Sequence, residues 1–481
     1  MTDTVTLPLW LAAIVVLLAV TTLVERLLLP GLKWLVRRRV NRVLEEVDAR
    51  LHIRIQPFKL TKRQVLIDRL LGDPLVLEAI DRAAREEGVV KEKTWGRAAR
   101  YAEEIVPGFN AYVYFRLGYW LARQVARSLY RVRLGGGAAE SLATIPDGAS
   151  VVFVMNHRSN MDYVLVSYLV AERTALSYAV GEWARIWPLQ TLFRAMGAYF
   201  IRRDSRNPLY RRVLERYVAM ATGAGVTQAV YPEGGLTRDG RLRPPRLGIL
   251  DYIVRSFDPA LARDVVFVPI GLNYDRTLED RSLLLDLELA AGAPRRKEGS
   301  AILGTLAFVL KNVALMARNR WHRFGYACVN LGTPISLKSF LVSRDVDLRR
   351  MSKEERIGHV AALADRIMAA VGEVVPVLPV PLVATAFVEE PSRTFTELEV
   401  KAKVLAMMEG LEKSGARVHL PRQDRDYAIT AGLRMLVQRH AIALEGGLLR
   451  AREDELPLLR YYAGSIEHLL PKSAARRLAA T

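Results

Sequence analysis

Two residues five positions apart carry the clearest chemistry in the chain. His157 and Asp162 stand in the run HRSNMDY, directly after an apolar stretch that is typical of a buried strand. Functional sites gather at strand ends in α/β folds. The Asp162 carboxylate can accept a hydrogen bond from one ring nitrogen of His157, which leaves the other nitrogen as a base for a substrate hydroxyl. Taken alone, the pair is explained better by a loop histidine near an aspartate that caps a helix.

A glycine-rich loop provides a second candidate. The run Tyr231 to Gly240 reads YPEGGLTRDG and also follows a strand-like stretch. Gly234 and Gly235 allow close approach of the backbone to a ligand, so that successive amides can cradle a phosphate. Arg238 can add a bidentate contact. As a bare pattern this is a tight turn with basic flanks, and it lacks the Lys-Ser/Thr of a P-loop.

Two shorter segments are compatible with the same chemistry. Arg202 and Arg203 end the run GAYFIRR, an arrangement that suits a phosphate and equally an ordinary solvated charge pair. Pro269 stands in Val268-Pro269-Ile270 at a strand end, and by itself this segment indicates nothing.

Other chemistries find no support in the sequence. There is no Gly-x-Ser-x-Gly elbow and no His-Glu-x-x-His zinc motif. The other histidines are isolated and are better explained as structural. Cys328 is the only cysteine, so an intrachain disulfide and a cysteine-based metal site are both excluded. We expect no metal and no tightly held cofactor.

The elements that must position these residues read as an α/β domain. Apolar runs at 150–155, 225–231, 265–270 and 326–331 suit a sheet that is covered on both faces, and helical segments alternate with them. We predict a mixed sheet flanked by helices, with helical additions at both termini. The predicted regions are an anchor at 1–32, a helical region at 33–140, the α/β domain at 141–385 and a helical region at 386–481.

The flanking segments and the charge indicate a membrane. Residues Val5 to Val24 contain no charge and are long enough to span a bilayer, with arginines following them, which predicts an uncleaved transmembrane helix and a cytoplasmic main body. The net charge of +19 indicates an anionic partner. Asn110 to Tyr130 predicts a helix with aromatic and arginine-rich sides. Two readings of it are equally supported: a membrane-surface helix, or a helix packed on the core with its arginines in solvent.

The four segments, in this order, resemble the glycerolipid acyltransferase family. His157 and Asp162 match its histidine–aspartate box, GAYFIRR its second motif, Glu233 to Arg238 its Glu-Gly-Gly box and Val268 to Ile270 its fourth. The paired arginines favour the branch that acts on glycerol 3-phosphate or dihydroxyacetone phosphate. The similarity is strong over 145–340 and weaker in the helical flanks.

The resemblance implies a set of roles for these residues. His157 would be the general base and Asp162 would orient it. Glycerol phosphate would be held, or its pocket shaped, by Arg158, Ser159, Arg202, Arg203, Glu233, Gly234, Gly235, Arg238 and Pro269. The donor would be a fatty acyl thioester of coenzyme A or acyl carrier protein, and the product lysophosphatidate. The protein would be located at a bacterial-type inner membrane with its catalytic domain in the cytoplasm. Anionic lipids would be its partners, and nucleic acid would not.

One position departs from the family pattern. The family has an arginine directly after Glu-Gly-Gly, and this chain has Leu236. Loss of one charge-assisted contact is worth about 1.5–3 kcal/mol, or roughly 10- to 150-fold in binding. Either Arg238 and the arginines after it compensate, or the acceptor differs. If Leu236 faces the phosphate, Leu236→Arg should lower the apparent KM of a phosphate acceptor.

Three functions therefore remain open from the sequence. The first is acyl transfer to the sn-1 hydroxyl of glycerol 3-phosphate. The second is the same chemistry on dihydroxyacetone phosphate or a lysophospholipid. The third is a non-catalytic basic protein that binds membrane or nucleic acid, which the order of the motifs disfavours.

Overall fold

A mixed β-sheet forms the centre of the molecule. The computed structural model describes residues 53, 55–170, 174–181, 189–202, 205–255, 257–260, 263–290 and 323–471. The strands are β1 Arg131–Leu134, β2 Ser150–Met155, β3 Ser177–Val180, β4 Tyr199–Phe200, β5 Gln228–Val230, β6 Val265–Tyr274, β7 Tyr326–Leu331 and β8 Ile335–Ser336. Their order is β1-β7-β6-β2-β5-β3-β4, with β8 pairing beside β6. The predicted α/β class with a mixed sheet is thereby confirmed.

The strand directions bring several carboxyl ends to one edge of the sheet. Strands β6, β2, β5, β3 and β4 pair in parallel, whereas β7 runs antiparallel to β6 and carries β1 parallel to itself. The ends of β2, β5 and β6 therefore lie at the same edge. The four strands predicted from apolar runs are all present, two of them with the predicted bounds (β2 and β7).

Burial on both faces explains why these strands read as continuous apolar runs. Val152 and Val154 belong to one core cluster, together with the N-terminal helices and the helix Lys353–Glu373. Val151 and Phe153 point to the opposite face, into a second cluster with the helix Met161–Val170. Successive residues of a strand face opposite sides, so a sheet with two covered faces requires apolar residues at every position.

Pro269 lies inside β6 where a proline can be accommodated. The residue pairs with Val154 of β2 on one side, and its carbonyl accepts from the Gly332 amide on the other. The N–H and C=O groups of one strand residue point to the same side, so the N–H that proline lacks would face away from β2. On that side β6 changes partner from β8 to β7 between Phe267 and Ile270, and no ladder bond is lost.

Helices surround the sheet. The N-terminal helices show the predicted break at Gly72-Asp73-Pro74, where the Asp73 side chain caps the helix Pro74–Glu87 by accepting a hydrogen bond from the Leu75 amide. The helices are Pro57–Leu60, Arg63–Leu71, Pro74–Glu87, Lys91–Ile105, Tyr119–Leu129, Ala138–Ala143, Met161–Val170, Leu189–Ala195, Pro208–Gly223, Gly248–Val254, Asp280–Ala290, Leu337–Val342, Lys353–Glu373, Pro379–Val388, Glu397–Lys413, Arg425–Gln438 and Leu456–Gly464.

The C-terminal region has its own apolar core. All ten residues of the helix Pro379–Val388 are buried, and this helix belongs to the C-terminal cluster, so that core begins before the predicted boundary at 386. The region 386–481 was predicted to be helical, but it also contains an antiparallel sheet. Its strands are β9 Thr394–Thr396, β10 Ile442–Glu445 and β11 Leu448–Ala451. Gly446 and Gly447, both with positive φ, form the β10–β11 turn.

The predicted membrane anchor at 1–32 lies outside the described residues. Within the part of the chain that the structure describes, no helix has the length and apolar character needed to cross a bilayer.

Candidate active site

The turn after β2 places His157 at the carboxyl edge of the sheet. Asn156 follows the strand and bonds to β6 through its side-chain amide, not through its backbone. Its Nδ2 donates to the Leu272 carbonyl at 2.9 Å, and its Oδ1 accepts from the Leu272 amide at 2.8 Å. This clamp to β6 lets the main chain leave the sheet. His157 follows immediately and is 2% exposed.

His157 and Asp162 form the predicted pair. His157 Nδ1 lies 2.9 Å from Asp162 Oδ2, and both side chains are buried. The same carboxylate oxygen accepts from the backbone amides of Arg158 at 2.7 Å and Ser159 at 3.0 Å. Asp162 therefore fixes the loop that precedes the helix Met161–Val170 and is at the same time the partner of His157. The helix-cap explanation does not describe this geometry, because the bonded amides lie before the helix and His157 is buried.

Tyr274 is a partner of Asp162 that the sequence motifs do not reveal. Its hydroxyl donates to Asp162 Oδ1 at 2.5 Å from the last residue of β6. Burial, followed by the negative charge of Asp162, raises the pKa of Tyr274 well above its usual value, so the phenol remains a donor. The position of Tyr274 at the end of a strand was the available signal.

Glu233 supports the other side of His157. Its Oε1 accepts the His157 backbone N–H at 3.1 Å, and the Thr237 amide donates to the His157 carbonyl at 3.0 Å. Burial raises the pKa of Glu233 to about 8, although the His157 N–H opposes this shift. The glycine-rich loop thus holds the His157 backbone on both sides, through Glu233 and Thr237.

Aromatic rings restrict the His157 imidazole. Tyr231 lies against it with ring centroids 4.2 Å apart and planes at 33°. Tyr163 meets the same imidazole edge-on at 5.5 Å and contacts Tyr231 at 4.8 Å. With Nδ1 engaged by Asp162 and the ring held between these contacts, Nε2 is the nitrogen available to a substrate.

His157 opens onto a cavity of about 800 Å³. Its walls are partly apolar, with Ile201, Leu214, Val230 and Ile249 among the lining residues. The cavity is also rich in cations: among the described residues, seven basic side chains line it, against the two carboxylates of Glu215 and Asp251. The basic residues are Arg202, Arg211, Arg212, Arg246, Arg255, Lys353 and Arg356.

Several of these cations are already paired. Arg255 bridges Glu215 and Asp251, and Arg356 pairs with Asp251 at 3.1 Å. Arg202 forms a bidentate contact with Glu104, with Nε–Oε1 at 3.0 Å and Nη2–Oε2 at 2.8 Å. Rings of Tyr101 and Tyr210 flank the Arg202 guanidinium at 5.1 and 5.3 Å. The fork of Arg202 is therefore held in place beside the cavity.

Arg211 and Lys353 differ from the other lining cations. Neither forms an ion pair with any described carboxylate, and the Arg211 Nε donates only to the Ser205 carbonyl, at 2.6 Å. The cavity thus has positive charge that its own acidic residues do not neutralise. An anionic substrate is the natural counterpart of such a surplus.

The structure brings only part of the predicted set to this cavity. His157, Arg202 and Gly234 line it. Gly234 has a φ of +71°, and a Cβ there would lie 2.5 Å from Arg246 Cδ, so the bare backbone accommodates the Arg246 side chain. Arg246 is the basic loop residue that reaches the cavity, whereas Arg238 is exposed and is not among the described lining residues.

Arg158 and Ser159 lie outside the cavity lining and contact protein groups. Arg158 is fully buried, donates through Nη1 to the Gly240 carbonyl at 2.6 Å and lies over the Tyr461 ring. Ser159 donates to Glu279 at 2.6 Å. Both residues thus connect the histidine turn to neighbouring elements.

The remaining predicted positions are placed as follows. Gly235 and Pro269 are buried away from the cavity lining, and Arg203 lies outside the described residues. Leu236 packs against the C-terminal apolar cluster. The residue that departs from the family pattern therefore contacts protein, and the cavity contains other cations instead.

Two family models match parts of this chain. Residues 139–273, which include β2 to β5, most of β6 and the His157–Asp162 pair, match the model described as Acyltransferase. Residues 310–479 match the model described as Glycerol-3-phosphate acyltransferase C-terminal region. The chain therefore contains one region similar to acyltransferases and one similar to the C-terminal region of glycerol-3-phosphate acyltransferases.

Curated relatives bear the same family name. A glycerol-3-phosphate acyltransferase of Aeromonas hydrophila is 29% identical over 421 residues, covering 85% of this chain and 50% of that protein. One from Xylella fastidiosa strain M23 is 29% identical over 453 residues, covering 91% and 50%. The chain thus spans about half the length of these relatives.

A solved structure also matches part of the chain. It is the 1-acyl-sn-glycerophosphate (LPA) acyltransferase PlsC from Thermotoga maritima, with 17% identity and a TM-score of 0.31. The match covers 53% of this chain and 78% of that one.

Proposed function

We propose that the chain transfers a fatty acyl group to the sn-1 hydroxyl of glycerol 3-phosphate, giving lysophosphatidate. The observation that carries this proposal is the buried His157, oriented by Asp162 and facing a cavity with surplus positive charge. The names of the matching family models and relatives support the choice of substrate.

The reaction needs no enzyme nucleophile. Asp162 holds the proton on Nδ1 of His157, so Nε2 can accept the proton of the substrate hydroxyl. The hydroxyl oxygen attacks the thioester carbonyl, the ester C–O bond forms and the C–S bond breaks. The proton on Nε2 is then available to the departing thiolate, which returns His157 to its starting state.

The phosphate of the acceptor is assigned to the cationic part of the cavity. Glu104 orients Arg202 through Nε and Nη2, which leaves Nη1 for the phosphate. Arg246 approaches over Gly234, and Arg211 has no carboxylate partner among the described residues. We propose these three residues as phosphate ligands, because guanidinium groups bind phosphate through charge-assisted and often bidentate hydrogen bonds. Arg238 is not required for this assignment.

The donor and the location complete the proposal. A thioester of coenzyme A or acyl carrier protein would supply the acyl group, and both carriers are anionic, which agrees with the basic chain. The product is an amphiphile, so we propose the cytoplasmic face of a bacterial-type inner membrane as the working position, with anionic lipids as neighbours and no nucleic acid partner.

One assay compares the candidate acceptors. The purified chain is given a radiolabelled acyl thioester of coenzyme A or of acyl carrier protein. The acceptor is glycerol 3-phosphate, dihydroxyacetone phosphate or lysophosphatidate. We expect turnover with glycerol 3-phosphate and a loss of about 10²–10⁴-fold in His157→Ala. His359→Ala, in the helix Lys353–Glu373, serves as the matched control and should retain activity.

Each outcome has a distinct meaning. Turnover on lysophosphatidate alone would keep the mechanism and reject the proposed acceptor. Full activity of His157→Ala, or no turnover with any acceptor, would reject acyl transfer by this site and leave a non-catalytic binding protein.

A further inference from the structure

The segment Ala111 to Tyr130 packs on the domain through one narrow face. A π-helical turn, Val113–Gly118, leads into the helix Tyr119–Leu129. The buried positions recur every three or four residues, and four of the six are small: Ala111, Tyr114, Gly118, Ala122, Ala126 and Tyr130. Phe115, Tyr119, Val125 and Leu129 flank this face and also pack partly against the domain.

The outward face carries large apolar side chains. Tyr112, Leu117, Trp120 and Leu121 are between 38% and 54% exposed. Single exposed apolar residues are normal on a protein surface, but four within ten residues of one helical segment indicate an interaction surface. We call these four residues the apolar face.

The charges around the apolar face have one sign. Between Ala111 and Tyr130 the sequence contains Arg116, Arg123 and Arg127 and no aspartate or glutamate. All three arginines are exposed. An apolar face with tryptophan and leucine, bordered by arginines, is the composition of helices that lie in the interface of an anionic bilayer.

A basic cleft continues from the end of this helix. It has a volume of about 430 Å³ and is lined by Arg127, Arg131, Arg133, Arg323, Tyr130 and Tyr168, besides Val132. No carboxylate is among the described residues that line it. Its surplus of guanidinium groups suits a phosphate group, and Arg127 belongs to both the helix and the cleft.

We propose that the apolar face and the arginine cleft form a bilayer-contact surface that binds an anionic phospholipid. The apolar face enters the acyl-chain boundary, and the cleft takes the headgroup phosphate. This surface is separate from the predicted N-terminal anchor, and its existence does not depend on the proposed reaction.

The position of the surface relates it to the active site. The helix Tyr119–Leu129 packs on the helix Met161–Val170, with Tyr119 and Tyr168 rings 5.8 Å apart. The second helix carries Asp162 in its first turn. Binding of the bilayer at this surface therefore keeps the His157 cavity close to the membrane, where an acylated product can partition.

The test uses a probe at the centre of the apolar face. The full chain with Cys328→Ala and Trp120→Cys is labelled with an environment-sensitive fluorophore and mixed with vesicles of phosphatidylcholine and phosphatidylglycerol in equal amounts. Some of the lipids carry a shallow nitroxide quencher. The matched control is a probe at Leu398→Cys, an exposed apolar position that is 77% accessible on another helix.

We expect several-fold stronger quenching at position 120 than at position 398. Equal, weak quenching would overturn the proposal. So would a probe at 120 that is already shielded from water without vesicles. Shielding that is independent of protein concentration would indicate another segment of the chain as the occupant, and concentration-dependent shielding would indicate a second copy.

The cleft is tested separately. The double variant Arg131→Gln with Arg323→Gln should reduce the dependence of quenching on phosphatidylglycerol, while Arg450→Gln, an exposed arginine of β11, should not. Inorganic phosphate at millimolar concentration should not displace the vesicles. Unchanged lipid dependence, or displacement by free phosphate, would overturn the headgroup assignment. Acyl transfer in detergent should be equal in all these variants.

Discussion

Asp162 accepts four hydrogen bonds, and their donors come from separate parts of the fold. His157 and the amides of Arg158 and Ser159 belong to its own turn, whereas Tyr274 reaches it from β6. The carboxylate is thus held in one orientation by both elements. The His157 ring, which depends on this carboxylate for its tautomer, inherits the same restriction.

Tyr274→Phe should lower kcat without a large change in the KM of either substrate. Removal of a hydrogen bond to a charged group is worth about 1.5–3 kcal/mol, so a loss of roughly tenfold or more is expected if the bond acts by orienting Asp162. Steady-state kinetics test this. Tyr199→Phe is the control, because the Tyr199 hydroxyl is buried with no partner in the described structure. Equal effects of the two variants would contradict an orienting role.

Glu233 makes the stability of the protein depend on pH. Its pKa in the folded protein is about 8, raised chiefly by burial above the ordinary value of 4.5. Between these values the folded state binds the proton more tightly than the unfolded state. The stabilisation is complete below about pH 4.5 and is lost as pH rises through about 8.

Glu233→Gln should therefore lose less stability than the wild type as pH rises from about 5 to 9. The glutamine oxygen can still accept the His157 N–H, and it carries no ionisable group. The difference in unfolding free energy between Glu233→Gln and the wild type should change by up to about 1.4 kcal/mol per pH unit between the unfolded and folded pKa values. Denaturant titrations at several pH values measure it. Parallel stability profiles would show that Glu233 keeps an ordinary pKa.

Leu236→Arg should destabilise the protein and should not lower the acceptor KM. Leu236 packs against the C-terminal cluster, so an arginine there places a charge in an apolar contact, at a cost of about 1–3 kcal/mol. This reverses the effect expected from the sequence pattern. The exposed Leu398 provides the control substitution, Leu398→Arg. A lower KM at unchanged stability would mean that position 236 reaches the phosphate.

At the scale of elements, the glycine-rich loop of the α/β domain packs against the C-terminal region. Gly240 has a φ of +83°, and a Cβ there would lie 1.9 Å from the Tyr461 carbonyl oxygen. Arg158 reaches the same point, since it donates to the Gly240 carbonyl and lies over the Tyr461 ring. The C-terminal region thus packs directly on the loop that holds the His157 backbone.

Gly240→Ala should weaken this contact. Strain at a left-handed position costs about 1–2 kcal/mol, and the clash with backbone atoms adds to it, so a loss of at least about 2 kcal/mol is expected. Gly223→Ala is the matched control, because nothing lies within 4 Å of its added Cβ. Limited proteolysis should cut the C-terminal region faster in Gly240→Ala. Equal resistance in both variants would argue against the close approach.

The comparison of elements shows what the sequence could predict. The strands at the centre of the sheet were evident because burial on both faces leaves long apolar runs, as in β2 and β7. The edge strand β1 and the hairpin strands β10 and β11 have only four residues each and are partly exposed, so their apolar signal was weak. The Gly446-Gly447 turn was the available indication of the hairpin.

The same reasoning applies to the site. Motif spacing identified His157 and Asp162, because both belong to one turn of chain. Tyr274 is distant in sequence and reaches the site only through strand order. Arg246 is one of the arginines expected after Arg238 to compensate for Leu236, but only the packing of the loop selects it from the others. Their roles depend on topology, which no local pattern contains. The same holds for Leu236, whose neighbours belong to the C-terminal cluster.

At the scale of the whole molecule, the positive charge of the chain is partly concentrated at the cavity. In the part of the chain that the structure describes, seven basic side chains line the cavity against two carboxylates. Because the cavity is open to solvent, dissolved ions can screen its attraction for an anion, with a Debye length of about 8 Å at physiological ionic strength. The binding of a phosphate acceptor should therefore depend on salt, whereas proton transfer at the buried His157 should not.

The apparent KM for glycerol 3-phosphate should rise several-fold between low salt and about 0.5 M sodium chloride, with kcat nearly constant. Arg211→Gln should raise KM at low salt and flatten its salt dependence, since Arg211 has no carboxylate partner among the described residues. Arg450→Gln, exposed on β11 and outside the cavity, should leave the dependence unchanged. If kcat falls with salt while KM stays constant, the cavity cations act on a step after acceptor binding, and the assignment of the phosphate to them is wrong.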